Sequence, residues 1–262
     1  MSKDEILFEI GDDGIAWLTF NRPEARNAMT FGMYQRLGEI CRAPDPRMKV
    51  LILRGAGDKA FVSGTDIAQF RAFNTPKHAL DYEATMDAVF DALEDVPVPT
   101  IAAIQGACTG GGAGIAAACD LRLGAPSAKF GFPIARTLGN TLSMRNHARL
   151  AALIGVARTK DILFLARLMD AQEMRAIGLL NEITTEQGLH TRANGKQELI
   201  VELLEGIARD EAPDRPDRTK PRAVKRRPKA ASAGNTCFPH RRAPPCNCDR
   251  RWFAAGLLQD SK

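Results

Sequence analysis

The stretch from Thr100 to Asp120 constrains the chain more than any other. Thr100 to Ile104 follow the breaking triplet Pro97-Val98-Pro99 and read as a buried strand, after which Gly110-Gly111-Gly112 opens a helix of small residues ending at Cys119. A glycine run at a helix start leaves first-turn N–H groups unpaired and unshielded by side chains, so another group can approach them closely. The same small residues, Gly111 through Ala118, also permit close helix packing with no ligand at all. A phosphate cradle fits poorly, because no Gly-Lys-Ser/Thr continuation and no G-x-G-x-x-G follow the strand.

Around this stretch the pattern alternates between strands and helices. Ile6 to Ile10 and Ile15 to Phe20, joined by Gly11-Asp12-Asp13-Gly14, predict a hairpin. A helix is expected to open near Thr30, with Met33, Leu37 and Ile40 on one face. Val50 to Leu53 reads as a buried strand ending at Gly55-Ala56-Gly57. A short helix near Asp66 to Phe73, which Asp66 is expected to cap, precedes a longer one from about Pro76. Leu80, Met86, Val89, Phe90 and Leu93 of the longer helix are expected to face the core. Leu121-Arg122-Leu123 is a third strand candidate, and Leu142 to about Ile183 is mostly helical. Glycine-rich turns at the C-terminal ends of strands imply an α/β fold with its site on that edge.

The net charge of +5 does not describe the whole chain evenly. Residues 211–262 hold 13 Lys and Arg against 5 Asp and Glu, whereas the first 210 hold 23 against 26. Seven prolines and almost no periodic apolar residues between 211 and 251 favour disorder there. The abrupt change equally suits a shift of reading frame near residues 190–210. The expected organisation is therefore a core over 1–190, a helical segment over 191–210 and an atypical tail over 211–262. With 262 residues and 45% hydrophobic residues, one large domain can bury a sizeable core. No apolar run is long enough to span a bilayer and the first residues lack a signal-peptide pattern, so a cytoplasmic location is expected. Six irregularly spaced cysteines predict free thiols. Cys237, His240, Cys246 and Cys248 match no zinc spacing, and no metal is expected.

Three stretches occur in a distinctive order: Asn21-Arg22-Pro23-Glu24-Ala25-Arg26-Asn27-Ala28-Met29, Ala60-Phe61-Val62-Ser63-Gly64-Thr65-Asp66-Ile67, and Gly106-Ala107-Cys108-Thr109-Gly110-Gly111-Gly112 leading to Cys119-Asp120. Together they resemble the crotonase, or enoyl-CoA hydratase/isomerase, superfamily over roughly residues 5–190. The resemblance implies a crotonase-like (ClpP/crotonase) fold, a spiral of ββα units with a helical C-terminal region. It also implies an acyl-CoA thioester as substrate, with coenzyme A entering as part of that substrate and no permanently bound cofactor. Trimers or hexamers are the implied assembly. Ser63 and Gly111 are then the two backbone N–H donors of an oxyanion hole, a device that stabilises negative charge developing on the thioester oxygen. Arg26, Ala28, Lys59, Ala60, Ser63, Gly64, Thr65, Asp66 and Ile67 are implied to line the coenzyme A site, with Arg26 and Lys59 placed to meet phosphates. As ordinary solvated charges, Arg26 and Lys59 need no such role.

The same resemblance exposes a gap. A hydratase of this family activates water with two glutamates, and their positions here hold Gly114 and Ile134. No Asp or Glu occurs between Asp120 and Asp161. Arg136, Asn140, Cys108 and His147 are the local candidates. Arg136 lies in the segment expected to face the acyl group, but a guanidinium stays charged and binds anions better than it moves protons. The expected function is thus an acyl-CoA-binding enzyme of the hydratase/isomerase type. Thioester hydrolysis, a non-catalytic acyl-CoA binder, and an RNA-associated protein using its basic tail stand as alternatives. No membrane partner is expected.

Overall fold

A computed structural model describes residues 4–134, 136, 139, 141–189, 191, 193 and 195. Its framework is a six-stranded sheet with strand order β1-β2-β3-β5-β7-β10. The hairpin of β1 (Ile6–Ile10) and β2 (Ile15–Phe20) pairs antiparallel, with Ile6 opposite Phe20, as the alternation predicts. The remaining pairs are parallel: β2 with β3 (Val50–Gly55), β3 with β5 (Thr100–Ile104), β5 with β7 (Leu121–Gly124), and β7 with β10 (Glu182–Ile183). Central parallel strands are covered on both faces, which is why β3 and β5 carry apolar residues without alternation.

Each central strand divides its side chains between two cores, because successive residues point to opposite faces. Leu51, Leu53, Ala102 and Ile104 enter the large core, whereas Val50, Ile52, Ile101, Ala103 and Leu123 enter a smaller one. Leu189 and Ala193 close that smaller core. Packing therefore continues beyond residue 190, where the sequence placed the end of the core. The expected helical segment over 191–210, apart from residues 191, 193 and 195, and the basic tail lie outside the described residues.

A second sheet escaped the sequence reading. It has the order β4-β6-β8-β9, built from Ala60–Val62, Ala107–Thr109, Lys129–Gly131 and Leu168–Asp170. Strands of three residues show no periodicity of their own and exist through pairing with distant segments. The first three are parallel and β9 runs antiparallel to β8. Residues 142–183 accordingly contain two strands besides their helices.

Between the sheets and around them pack α1 (Phe31–Arg42), α2 (Pro76–Glu94), α3 (Gly111–Ala118), α4 (Met144–Ile154), α5 (Val156–Phe164) and α6 (Ala171–Ala176). Thr30 caps α1 by accepting from the Met33 N–H at 3.2 Å. Asp66 caps a 3-10 turn over Ile67–Ala72 by accepting from the Ala68 N–H at 3.1 Å, which fulfils the capping expectation. On α2, Met86, Val89, Phe90 and Leu93 are buried as expected, but Leu80 is 40% exposed because the first turns of α2 extend past the core. Among the described residues, no helix is long and apolar enough to cross a membrane.

Arg122 locks α3 to the framework. Its guanidinium is buried and donates to the carbonyls of Leu179 (2.7 Å), Cys119 (2.6 Å), Ala116 (3.2 Å) and Asp120 (3.2 Å). Charged donors to buried acceptors each contribute roughly 1.5–3 kcal/mol. Arg122→Met should therefore lower unfolding free energy by at least about 3 kcal/mol in urea titrations, with α3 left without an anchor for its C-terminal carbonyls.

Candidate active site

The N-terminus of α3 opens into a cavity of about 250 Å³. Its floor is Gly110 and Gly111, and Phe70, Met86, Phe90, Phe132 and Leu142 form apolar walls. Gly110 has φ 55° and delivers the chain into α3 with the Gly111 N–H unpaired among the described residues. A side chain at Gly111 is excluded, since its Cβ would collide with the Tyr34 hydroxyl. Free first-turn donors and the positive end of the helix dipole make this point attractive to a developing negative charge.

Beside Gly111 runs a line of hydroxyls. Tyr34 and Thr65 are 2.9 Å apart, and Thr65 and Tyr82 are 2.7 Å apart. Burial raises both phenol pKa values, so the two tyrosines stay protonated and act as neutral hydrogen-bonding groups. Neither tyrosine was singled out from sequence, because Tyr34 reads as an ordinary apolar-face residue of α1.

Ser63 departs from expectation. It lines the cavity, but its N–H donates to the Arg26 carbonyl at 3.1 Å, so it is not a free donor. The physical reason is the loop over residues 22–29. Arg26 and Asn27 adopt φ 51° and 55°, and this left-handed pair turns the Arg26 carbonyl toward Ser63. The buried Asn27 side chain pins the loop by donating to the Ala56 and Ala60 carbonyls at 3.0 and 2.8 Å. Arg22 adds an ion pair with Asp66 at 3.1 Å and a bond to the Ala28 carbonyl at 2.6 Å.

Of the other expected coenzyme A residues, Gly64, Thr65 and Ile67 line the cavity, whereas Arg26, Ala28, Lys59, Ala60 and Asp66 do not. Arg26 and Lys59 are exposed, and Ala60 is buried as a strand residue. Arg136 is corrected: it is exposed and outside the cavity, because Pro133 and Ile134 occupy the inward side of that turn. Asn140 lies outside the described residues, as do Cys237, His240, Cys246 and Cys248. His147 sits on α4 with Nδ1 2.9 Å from the Ser143 carbonyl oxygen, a contact within its own helix. Cys108 is fully buried with its thiol directed at the Gly112 carbonyl, and burial raises its pKa well above the usual thiol range. It is a packing residue rather than a nucleophile. Among the described residues, no cluster of His, Cys, Asp and Glu could hold a metal.

The model for the enoyl-CoA hydratase/isomerase family matches residues 11–209. The chain belongs to that family. It is 35% identical over 191 residues to a crotonyl-CoA hydratase of Syntrophomonas wolfei, covering 72% of each protein. It is 33% identical over 205 residues to a short-chain-enoyl-CoA hydratase of Clostridium acetobutylicum, covering 77% of each. Among solved structures, an enoyl-CoA hydratase/carnitine racemase from Magnetospirillum magneticum superposes with TM-score 0.71 at 33% identity, over 81% of this chain and 84% of that one. The family match runs beyond residue 190 and stops short of the basic tail.

Within this hydratase/isomerase fold, Gly114 and Ile134 both line the cavity. A Cβ at Gly114 would lie 2.7 Å from the Phe90 ring, so the aromatic ring occupies the space that a side chain there would need. Sequence reasoning also missed Glu83, Asp87, Ser143 and Asn146, which line the opposite wall. Their signal was faint: positions 83 and 87 are one helical turn apart on α2, beside the buried Met86 and Phe90.

Two outcomes test this arrangement. Gly114→Glu should destabilise the fold, because overpacking costs about 1–3 kcal/mol against at most about 1 kcal/mol of helix propensity gained. In a double-mutant cycle with Phe90→Ala, a coupling of about 1 kcal/mol or more is expected by denaturant titration. Native Cys108 should resist iodoacetamide at pH 8 and label fully in denaturant, as read by mass spectrometry.

Proposed function

We propose that this cavity binds a short-chain acyl-CoA thioester, with its carbonyl oxygen at the Gly111 N–H, and that the protein acts on enoyl-CoA-type substrates. The observation that carries this reading is the unpaired Gly111 donor at the start of α3, facing an apolar cavity where no side chain can shield it. In a dry site such a donor stabilises an enolate or other oxyanion far more than in water. The Ser63 N–H becomes the second donor when the thioester oxygen displaces the Arg26 carbonyl. That exchange gives the Ser63 N–H a new acceptor and frees the Arg26 carbonyl, which must find another donor as the exposed Arg26 loop adjusts.

Coenzyme A would leave the cavity past Gly64, Thr65 and Ile67, and the exposed Arg26 and Lys59 would meet its phosphates. Ala28, Ala60 and Asp66 then act indirectly, by shaping the loops. The homotrimer or hexamer of the resemblance fits the exposed Val156 (59%), Phe164 (73%) and Leu165 (66%) along α5 and its end, an apolar surface suited to burial between subunits. A core over about 1–190 with its packing carried on to Ala193, a helical segment to 210 and a basic tail over 211–262 is the proposed organisation.

Gly114 and Ile134 favour one second reading, a binder that polarises the thioester without hydrating it. Calorimetry with crotonyl-CoA, followed by mass spectrometry of the products, separates the two. Binding is expected at micromolar affinity, and Gly111→Ala should abolish it by driving a methyl group against the Tyr34 hydroxyl. Absence of binding by the folded wild-type protein would overturn the proposal, and binding without any product would favour the second reading.

A further inference from the structure

The cavity is not without carboxylates; α2 brings Glu83 and Asp87 to its wall, and the hydrogen bonds of Asp87 single it out. Asp87 is half-buried in the wall opposite Pro133 and Ile134, and its Oδ1 accepts from the Ser143 hydroxyl at 2.7 Å and from the Asn146 amide at 3.1 Å. Both partners are themselves held. Ser143 caps α4, accepting from the Asn146 N–H at 3.3 Å, and Arg149 donates to the Asn146 Oδ1, which turns the Asn146 amide hydrogens toward Asp87. Two neutral donors thus fix one oxygen of Asp87. The other, Oδ2, has no hydrogen-bond partner among the described residues.

The neighbouring carboxylates of α2 are treated differently. Arg145 pairs with Asp91, and Arg149 pairs with both Asp91 and Glu94. The cations of α4 are therefore occupied one and two turns away, and among the described residues no guanidinium pairs with Asp87. Its position follows from helix geometry. Phe90, one turn along α2 from Asp87, abuts Gly114, and Gly114 lies one turn along α3 from Gly111. An acyl chain whose carbonyl sits at Gly111 runs along this wall.

We propose that Asp87 is the catalytic carboxylate of this protein, taking the α-proton of an acyl-CoA bound as described above; the inference rests on that reading. In the step, the C2–H bond breaks and the proton passes to Asp87 Oδ2. The electron pair forms a C1–C2 double bond, and the thioester oxygen becomes the oxyanion held at the Gly111 N–H. Reversal returns the proton to C2 and restores the thioester, so no further reactant is needed.

Incubation of the full chain with butyryl-CoA in D2O tests this directly, with deuterium at C2 read by mass spectrometry and binding read by calorimetry. Wild type is expected to bind and to incorporate deuterium. Asp87→Asn keeps an oxygen for Ser143 and Asn146, so it should fold and bind as wild type while exchange falls at least about 100-fold, the scale of a lost general base. Asp87→Glu should recover part of the exchange. Unchanged exchange in Asp87→Asn, or a wild type that binds butyryl-CoA without exchange, would overturn Asp87 alone. Absence of binding would take the acyl-CoA reading down, and this one with it.

Discussion

The close seating of α3 on its surroundings is the constraint on which the rest depends. Side chains at Gly111, Gly112 and Gly114 are excluded in turn by the Tyr34 hydroxyl, by Val62 and by the Phe90 ring. A helix this bare cannot hold itself in place by interdigitation, so its position is set by other means: Arg122 gathers the carbonyls at its C-terminal end, and the second sheet supports its start. What is gained is close approach: glycine in a helix interior costs about 0.5–1 kcal/mol each, a cost offset at Gly112 and Gly114 by packing against Val62 and Phe90 and at Gly111 by a bare N-terminus.

Seating of this kind was partly visible in the amino-acid order. The hairpin, the central strands and the helix start at Thr30 are written in local patterns, since alternation, β-branched runs and capping residues act over a few positions. The four short strands are not. Ala60–Val62 acquires strand geometry by pairing with β6, and Lys129–Gly131 by pairing with β6 and β9, partners supplied from other places in the chain. Leu80 errs in the other direction: its helical phase points it at the core, but the core ends before α2 does.

Legibility of the site followed the same rule. Gly111 is readable because the requirement it meets is a backbone one, imposed by its own immediate neighbours. Ser63 lines the cavity, yet its N–H was assigned without the Arg26 carbonyl, a contact made by a loop 37 positions away that depends on two left-handed residues. Arg136 was assigned by its nearness in sequence to the acyl segment, and one turn of chain is enough to reverse which side faces inward. Asp87 carried only the faint signal of its helical phase beside Met86 and Phe90. Its environment is made by α4, more than fifty residues later.

The arrangement of α2 against α4 follows a gradient of charge compensation. At the solvent end, Arg145 and Arg149 balance Asp91 and Glu94; the exposed Arg145 pair contributes little to stability, whereas the Arg149 side chain is largely buried against α2. At the cavity end, Asp87 meets only a hydroxyl and an amide. The Ser143 hydroxyl and the Asn146 amide hold one oxygen of the carboxylate in a fixed direction and leave the other without a partner among the described residues, so what α4 supplies to Asp87 is orientation. A guanidinium in their place could take both oxygens in a fork and leave neither for a group in the cavity.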